Sequence, residues 1–323
     1  MSRKVGIIGC GHVGAHVLYT ISLMGIADDF IVVDIDEKKA NADRQDLIDS
    51  MQFLPGRVSV KLGSYENLGD RDVIVNCSGK ISLLIGTTTR LAEMQHTLPT
   101  VRSYVDRIKA SGFNGIFVNI TNPCDIITKE FADRLGLPKG HVLGTGTGLD
   151  TARLITRIAD STGLDAHSIQ AYMFGEHGNS QFAPWSIVRF NGLPLDIWEA
   201  THPDKKLARE ELSQAAAQGG WITFQGKHST EFAIALTAAR TVRAILTDAK
   251  KVMPVSAELT GEYGESGLFA GVPAVIGKDG VEEVPEFPLT EEELKRFHEC
   301  CDGIREKIEL GKSGDFDYVK IEK

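Results

Sequence analysis

The segment Gly9-Cys10-Gly11-His12-Val13-Gly14 stands between an apolar run at residues 5–8 and a stretch at 12–24. In that stretch Val13, Val17, Leu18, Ile21 and Met24 recur at helical spacing. A strand, a glycine turn and a helix in immediate succession begin a βαβ unit. With 33 glycines in the chain, the bare G-x-G-x-x-G pattern arises by chance about 0.3 times, so its weight comes from its surroundings. The next apolar run, residues 30–34, ends in the carboxylate Asp34, 20 positions after Gly14. At that spacing Asp34 can accept hydrogen bonds from an adenosine ribose, while the amides at the helix start receive a pyrophosphate. A carboxylate there repels a 2′-phosphate, so the predicted cofactor is NAD and not NADP.

Short apolar runs at 73–77, 116–120 and 141–143 alternate with helical patterns at 38–53, 90–109 and 126–135. Strands apolar on both faces, alternating with helices, predict an α/β fold: a Rossmann-type doubly wound parallel sheet. The alternation stops near residue 145, which divides the chain into a nucleotide domain at 1–145 and an α+β substrate domain at 146–323. In the second part, residues 151–159, 204–224 and 230–246 read as helices, and 168–174, 183–190, 268–276 and 281–284 as strands. The tetrapeptide Gly277-Lys278-Asp279-Gly280 favours a tight hairpin. Thr290 and Glu293 form a capping box for a last helix.

Composition removes other classes. Hydrophobic residues at 42% and charged residues at 24% are ordinary for a packed protein. Lys+Arg 35 against Asp+Glu 44 leaves a net charge of −9, which argues against nucleic acid or an anionic membrane as partner. No apolar run reaches 18 residues, and no export signal is visible at the start. Cys10, Cys77, Cys124, Cys300 and Cys301 lack metal-ligand spacing and read as reduced thiols in a cytoplasmic protein, with no metal.

The glycine turn, Thr121-Asn122-Pro123, Asp150-Thr151-Ala152-Arg153 and Gly175-Glu176-His177-Gly178, in this order along the chain, resemble the signatures of the L-lactate/malate dehydrogenase superfamily. The likeness runs from Val5 to about Lys307. Within it the chain is most similar to the L-2-hydroxyisocaproate dehydrogenase branch, through Gly144-Thr145-Gly146-Thr147 and the segments around Asp150 and His177. The resemblance implies an NAD-dependent 2-hydroxy acid dehydrogenase, a homotetramer or dimer. His177 would be the acid/base, a task suited to an imidazole. Asp150 would orient its ring, although an acid there could equally cap a helix. Arg153, one helical turn after Asp150, would grip the substrate carboxylate, and Arg90 would polarise the carbonyl from a mobile loop. Asn122 and Thr230 would touch substrate. Gly79, Asn122 and Ile234 would join Gly9, Gly11, His12, Val13, Gly14 and Asp34 at the cofactor.

Two departures bear on specificity. Between Lys80 and Arg90 there is no arginine, and Ile81, Leu83, Leu84 and Ile85 stand where lactate enzymes are polar. An apolar loop favours a monocarboxylate with an aliphatic or aromatic side chain, as in 2-hydroxyisocaproate, and disfavours a second carboxylate. The alternatives are a plain L-lactate dehydrogenase and an NAD-binding sensor without catalysis. Activator-responsive relatives use an arginine and a histidine where this chain has Ile155 and Gln170, so sugar-bisphosphate activation is not expected.

Overall fold

The computed structural model describes residues 2–79 and 91–314. In chain order the first half forms β1 (Lys4–Ile8), α1 (His12–Leu23), β2 (Asp29–Val33), α2 (Glu37–Asp49), β3 (Ser59–Leu62) and β4 (Val73–Asn76). It continues with α3 (Leu91–Ala110), β5 (Ile116–Asn119), α4 (Cys124–Leu135), β6 (Val142–Gly144) and α5 (Gly148–Thr162). The second half contributes β7 (Ile169–Gln170), β8 (Arg189–Phe190), β9 (Leu193–Pro194), α6 (Leu195–Thr201), α7 (Arg209–Lys227) and α8 (Phe232–Leu246). It ends with β10 (Lys251–Thr260), β11 (Ser266–Gly277), β12 (Gly280–Glu283) and α9 (Glu291–Ser313).

Strands β3, β2, β1, β4, β5 and β6 lie side by side in that order, all parallel. The order reverses between β1 and β4, and the crevice beyond their carboxyl ends is the switch point where such sheets bind ligands. Strands β4 and β5 are buried along their whole length because helices cover both faces, which is why they read as unbroken apolar runs. The sheet does not stop at β6. Ser256 of β10 pairs with Gly144 of β6, and β10, β11 and β12 follow antiparallel, making nine strands in one sheet. The second half therefore extends the first half's sheet. A small antiparallel sheet, β7-β8-β9, lies apart from it.

The boundaries expected at 168–174 and 183–190 shrink to the two-residue strands β7 and β8. Residues Trp185–Ile187 form a short 3-10 turn after Pro184, which has no amide to donate to a ladder. The helix expected at 38–53 ends at Asp49. Strands β3 and β10 are additions to the expected set: β3 is a short edge strand with alternating exposure, and β10 carries Pro254 opposite Pro273 of β11. The hairpin at Gly277–Gly280 and the capping box at Thr290 are both formed. Phe297, Cys301, Ile304 and Ile308 of α9 are buried against the body. Among the described residues no helix is long and apolar enough to cross a membrane.

Candidate active site

The glycine turn is built for close approach. Gly9 has φ of +81°, and a Cβ on Gly14 would lie 1.8 Å from the Gly9 carbonyl oxygen, so only glycine lets α1 sit this tightly. Gly11 occupies the N-cap of α1 with no side-chain cap, and a Cβ there would meet nothing within 4 Å. The first amides of α1 are thus left for an outside acceptor. Asp34 follows β2, and its carboxylate accepts from the backbone amides of Cys10 and of Asp36 (2.8 Å). Lys39 on α2 donates from Nζ to the Cys10 carbonyl at 2.5 Å, a clamp on the turn that helical spacing alone did not mark as functional.

Beneath the crevice runs a buried polar ladder. Asn76 at the end of β4 donates from Nδ2 to Asn119 Oδ1 (3.0 Å) and Thr121 Oγ1 (2.9 Å), and Tyr104 donates its hydroxyl to Asn76 Oδ1 at 2.9 Å. These bonds fix the two loops that carry Gly79 and Asn122. The Asn122–Pro123 peptide is cis. Asn122 Oδ1 is buried and has no partner among the described residues, an acceptor that costs free energy until a ligand reaches it.

A cavity of about 270 Å³ opens here. Gly11, His12, Val13 and Gly79 line it together with Asn122, Asp150, Arg153, His177, Thr230 and Ile234. Gly9, Gly14 and Asp34 belong to the turn and its support and do not line the cavity. Arg90 and the apolar stretch Ile81, Leu83, Leu84 and Ile85 lie outside the described residues.

At the cavity floor, His177 Nδ1 stands 2.6 Å from Asp150 Oδ2, and Arg153 Nη1 donates to Asp150 Oδ1 at 2.8 Å. Asp150 is 1% exposed and lies inside the first turn of α5; the N-cap position is Thr147. Burial works to raise its pKa, but His177 and Arg153 hold its carboxyl below the usual carboxylate range. An ionised Asp150 accepts from Nδ1–H, which makes Nε2 the ring nitrogen able to give or take a proton. On α7, a Cβ at Gly219 would come 2.9 Å from Arg153 Cδ, so the helix passes close over the arginine stem.

The histidine's turn is held by residues that motif spacing did not point to. Asp125 Oδ2 accepts from the His177 backbone amide at 2.8 Å, Lys307 Nζ on α9 pairs with Glu176 at 2.5 Å, and Gln181 Nε2 donates to the Gly178 carbonyl at 2.7 Å. Among the described residues, no group of three His, Cys, Asp or Glu could hold a metal ion.

A glycine turn of dinucleotide-binding type, a histidine–carboxylate pair and a guanidinium that can grip a carboxylate, all on one small cavity, are suited to moving a hydride and a proton on an acidic substrate. The class is an NAD-dependent oxidoreductase acting on the CH–OH of 2-hydroxy acids. Residues 3–144 match the lactate/malate dehydrogenase NAD-binding domain, and residues 147–314 match the lactate/malate dehydrogenase alpha/beta C-terminal domain. The chain belongs to the lactate/malate dehydrogenase family. An L-lactate dehydrogenase of Fusobacterium nucleatum subsp. nucleatum is 42% identical over 314 residues, 97% of this chain and 98% of that one. One from Lactococcus lactis subsp. cremoris is 34% identical over 311 residues, 95% and 98% of the two chains. Among solved structures, the minor L-lactate dehydrogenase of Enterococcus mundtii in its ligands-bound form superimposes with a TM-score of 0.89 at 34% identity, over 96% of this chain and 98% of that one. The lactate dehydrogenase of Cryptosporidium parvum, complexed with lactic acid and nicotinamide adenine dinucleotide, does so with a TM-score of 0.88 at 25% identity, over 97% and 98%.

Proposed function

We propose that the protein interconverts a 2-keto monocarboxylate and its L-2-hydroxy acid, with His177 as acid/base. The observation that carries this reading is the shared carboxylate: Asp150 meets His177 and Arg153 at 2.6 and 2.8 Å, at the floor of the cavity the glycine turn opens on. NADH supplies the hydride. The free amides at the start of α1, the Asp34 carboxylate and the orphaned Asn122 Oδ1 fit such a cofactor. Arg153 binds the substrate carboxylate through its planar fork, leaving Asp150 to anchor one side of the guanidinium. His177 gives its Nε2 proton to the carbonyl oxygen in reduction and takes it back in oxidation, and Asp150 stabilises the imidazolium in either direction. Asn122 and Thr230 border the reacting carbon, Ile234 the nicotinamide side, and Arg90 is assigned to the carbonyl oxygen. The protein is proposed to act in the cytoplasm as a homo-oligomer, a state that light scattering of the purified chain tests.

On the choice of 2-keto acid, the relatives' names support pyruvate and lactate. The wall formed by α7 supports longer apolar side chains as well: Ala217 and Gly220 present little bulk to the cavity, and Trp221 and Phe224 are apolar. A branched four-carbon side chain adds three carbons to the methyl of pyruvate. At about 0.8 kcal/mol per buried carbon this favours 2-ketoisocaproate by more than tenfold in kcat/KM. Initial rates of NADH oxidation over both substrates test the reading. No turnover of any 2-keto acid refutes the function, and a preference for pyruvate reduces it to a plain L-lactate dehydrogenase.

A further inference from the structure

Asp125 is fully buried in the first turn of α4, two residues after the Asn122–Pro123 bond. Its two oxygens are both engaged: Oδ2 with the His177 backbone amide at 2.8 Å, and Oδ1 with the Ser256 hydroxyl of β10 at 2.5 Å. It therefore joins three pieces of the molecule: the loop that carries Asn122, the strand that pairs with β6, and the turn that presents the imidazole. Resting on the assignment of His177 above, we propose that Asp125 is a second carboxylate serving that histidine. It is a positioning residue that holds the His177 turn in register with Asn122 and lends its negative charge to the imidazolium.

The surrounding charges support this. Glu176 and His177 face Asp125 from the turn, Cys301 from α9, and Cys124 is its neighbour on α4. Glu176 is paired with Lys307. Burial pushes the Cys124 thiol up to about 12 and Cys301 higher still, so both are neutral. Protonated His177 is a cation that pulls on Asp125 from the turn. Burial pushes the Asp125 carboxyl up to about 6, against the opposing pull of its bonds to Ser256 and the His177 amide. Below that pH the carboxyl gains a proton, its charge disappears, and one of its two acceptor positions becomes a donor.

Reduction separates this effect from the histidine's own titration. It needs His177 protonated, so acidifying the medium does not disable that residue. Asp150 is held below the usual range and titrates at lower pH. A fall in kcat/KM for the 2-keto acid as pH drops through about 6 belongs to Asp125. The experiment measures kcat/KM for 2-keto acid reduction at saturating NADH from pH 4.5 to 9 for wild type, Asp125→Asn and Ser256→Ala. NADH affinity and thermal unfolding report on folding. Expected in wild type is an acid limb near pH 6. In Asp125→Asn that limb disappears and the basic limb, set by the histidine, moves down by about one pH unit as a nearby negative charge is lost. Ser256→Ala removes a donor to the ionised carboxyl and moves the acid limb up. A profile that drops uniformly in Asp125→Asn with both limbs in place means a merely structural role and overturns the proposal. If that variant does not fold, Ser256→Ala decides: an unmoved acid limb is equally fatal. Wild-type protein without any 2-keto acid turnover would instead refute the function on which the proposal rests.

Discussion

Replacing Asp150 by Asn removes one unit of negative charge and almost no volume, so its effect is electrostatic. Asp150 is buried and touches two cations of the reacting state, the His177 imidazolium at 2.6 Å and Arg153 at 2.8 Å. A hydrogen bond to a charged group contributes about 1.5–3 kcal/mol, against about 0.5–1.5 for a neutral pair. Losing the charge from two such contacts costs about 3 kcal/mol, or roughly 100-fold in rate at 1.4 kcal/mol per tenfold. The amide also cannot satisfy both neighbours. If its oxygen faces Arg153, its NH2 faces Nδ1 and favours the imidazole tautomer that cannot accept a proton at Nε2. The assay is the initial rate of NADH oxidation with 2-keto acid at pH 7, paired with the reverse reaction. The overall equilibrium is fixed, so with unchanged cofactor affinity kcat/KM falls by the same factor in both directions. NADH affinity stays within about twofold, since no part of the glycine turn is altered. Because His177 and Arg153 hold the Asp150 carboxyl below its unfolded range, its pairing stabilises the fold above about pH 4. That contribution fades as the pH falls further, so variant and wild-type stabilities converge in acid. A kcat/KM within fivefold of wild type at pH 7 would refute the reasoning.

Arg153→Lys keeps the charge but loses the fork, and raises KM for the 2-keto acid about 10- to 100-fold while NADH affinity holds; an unaltered KM removes Arg153 from the substrate site. Asp34→Ser deletes the carboxylate beside the Cys10 amide. It weakens NADH binding about 10-fold or more and narrows the gap to NADPH, measured by nucleotide fluorescence; unchanged discrimination between the two counts against the ribose assignment. Sugar bisphosphate added up to millimolar leaves KM within twofold, because Ile155 and Gln170 offer no cation for its phosphates; a large drop in KM contradicts this.

The parts of this molecule that were legible in its sequence are those set by local geometry. Asp150 and Arg153 are three residues apart, one helical turn, and the structure sets the Arg153 guanidinium on Asp150's carboxylate beside His177. The turn from Gly9 to Gly14 was legible because strand, glycines and helix are contiguous, and β4 and β5 because burial on both faces writes an unbroken apolar run. Strand β10 was not: Met253, Val255, Ala257 and Leu259 do alternate with Pro254, Ser256 and Glu258, but a proline inside the run argues against a strand within a sheet. Strand β10 also bears on the site. Ser256 lies 131 positions from Asp125, and Lys307 lies 131 positions from Glu176. Those partners meet because β10 adds to β6 and because α9 packs back across the sheet. In sequence, Asp125 reads as an acid in the first turn of a helix, a place where any carboxylate is favoured. Its engagement with the His177 amide exists only once the two halves share a sheet. The histidine proposed as acid/base is thus read from a local motif, while the groups that hold its turn are supplied by the seam at β6 and β10 and by the C-terminal helix. Substitutions along that seam are therefore expected to disturb proton transfer without touching either substrate or cofactor.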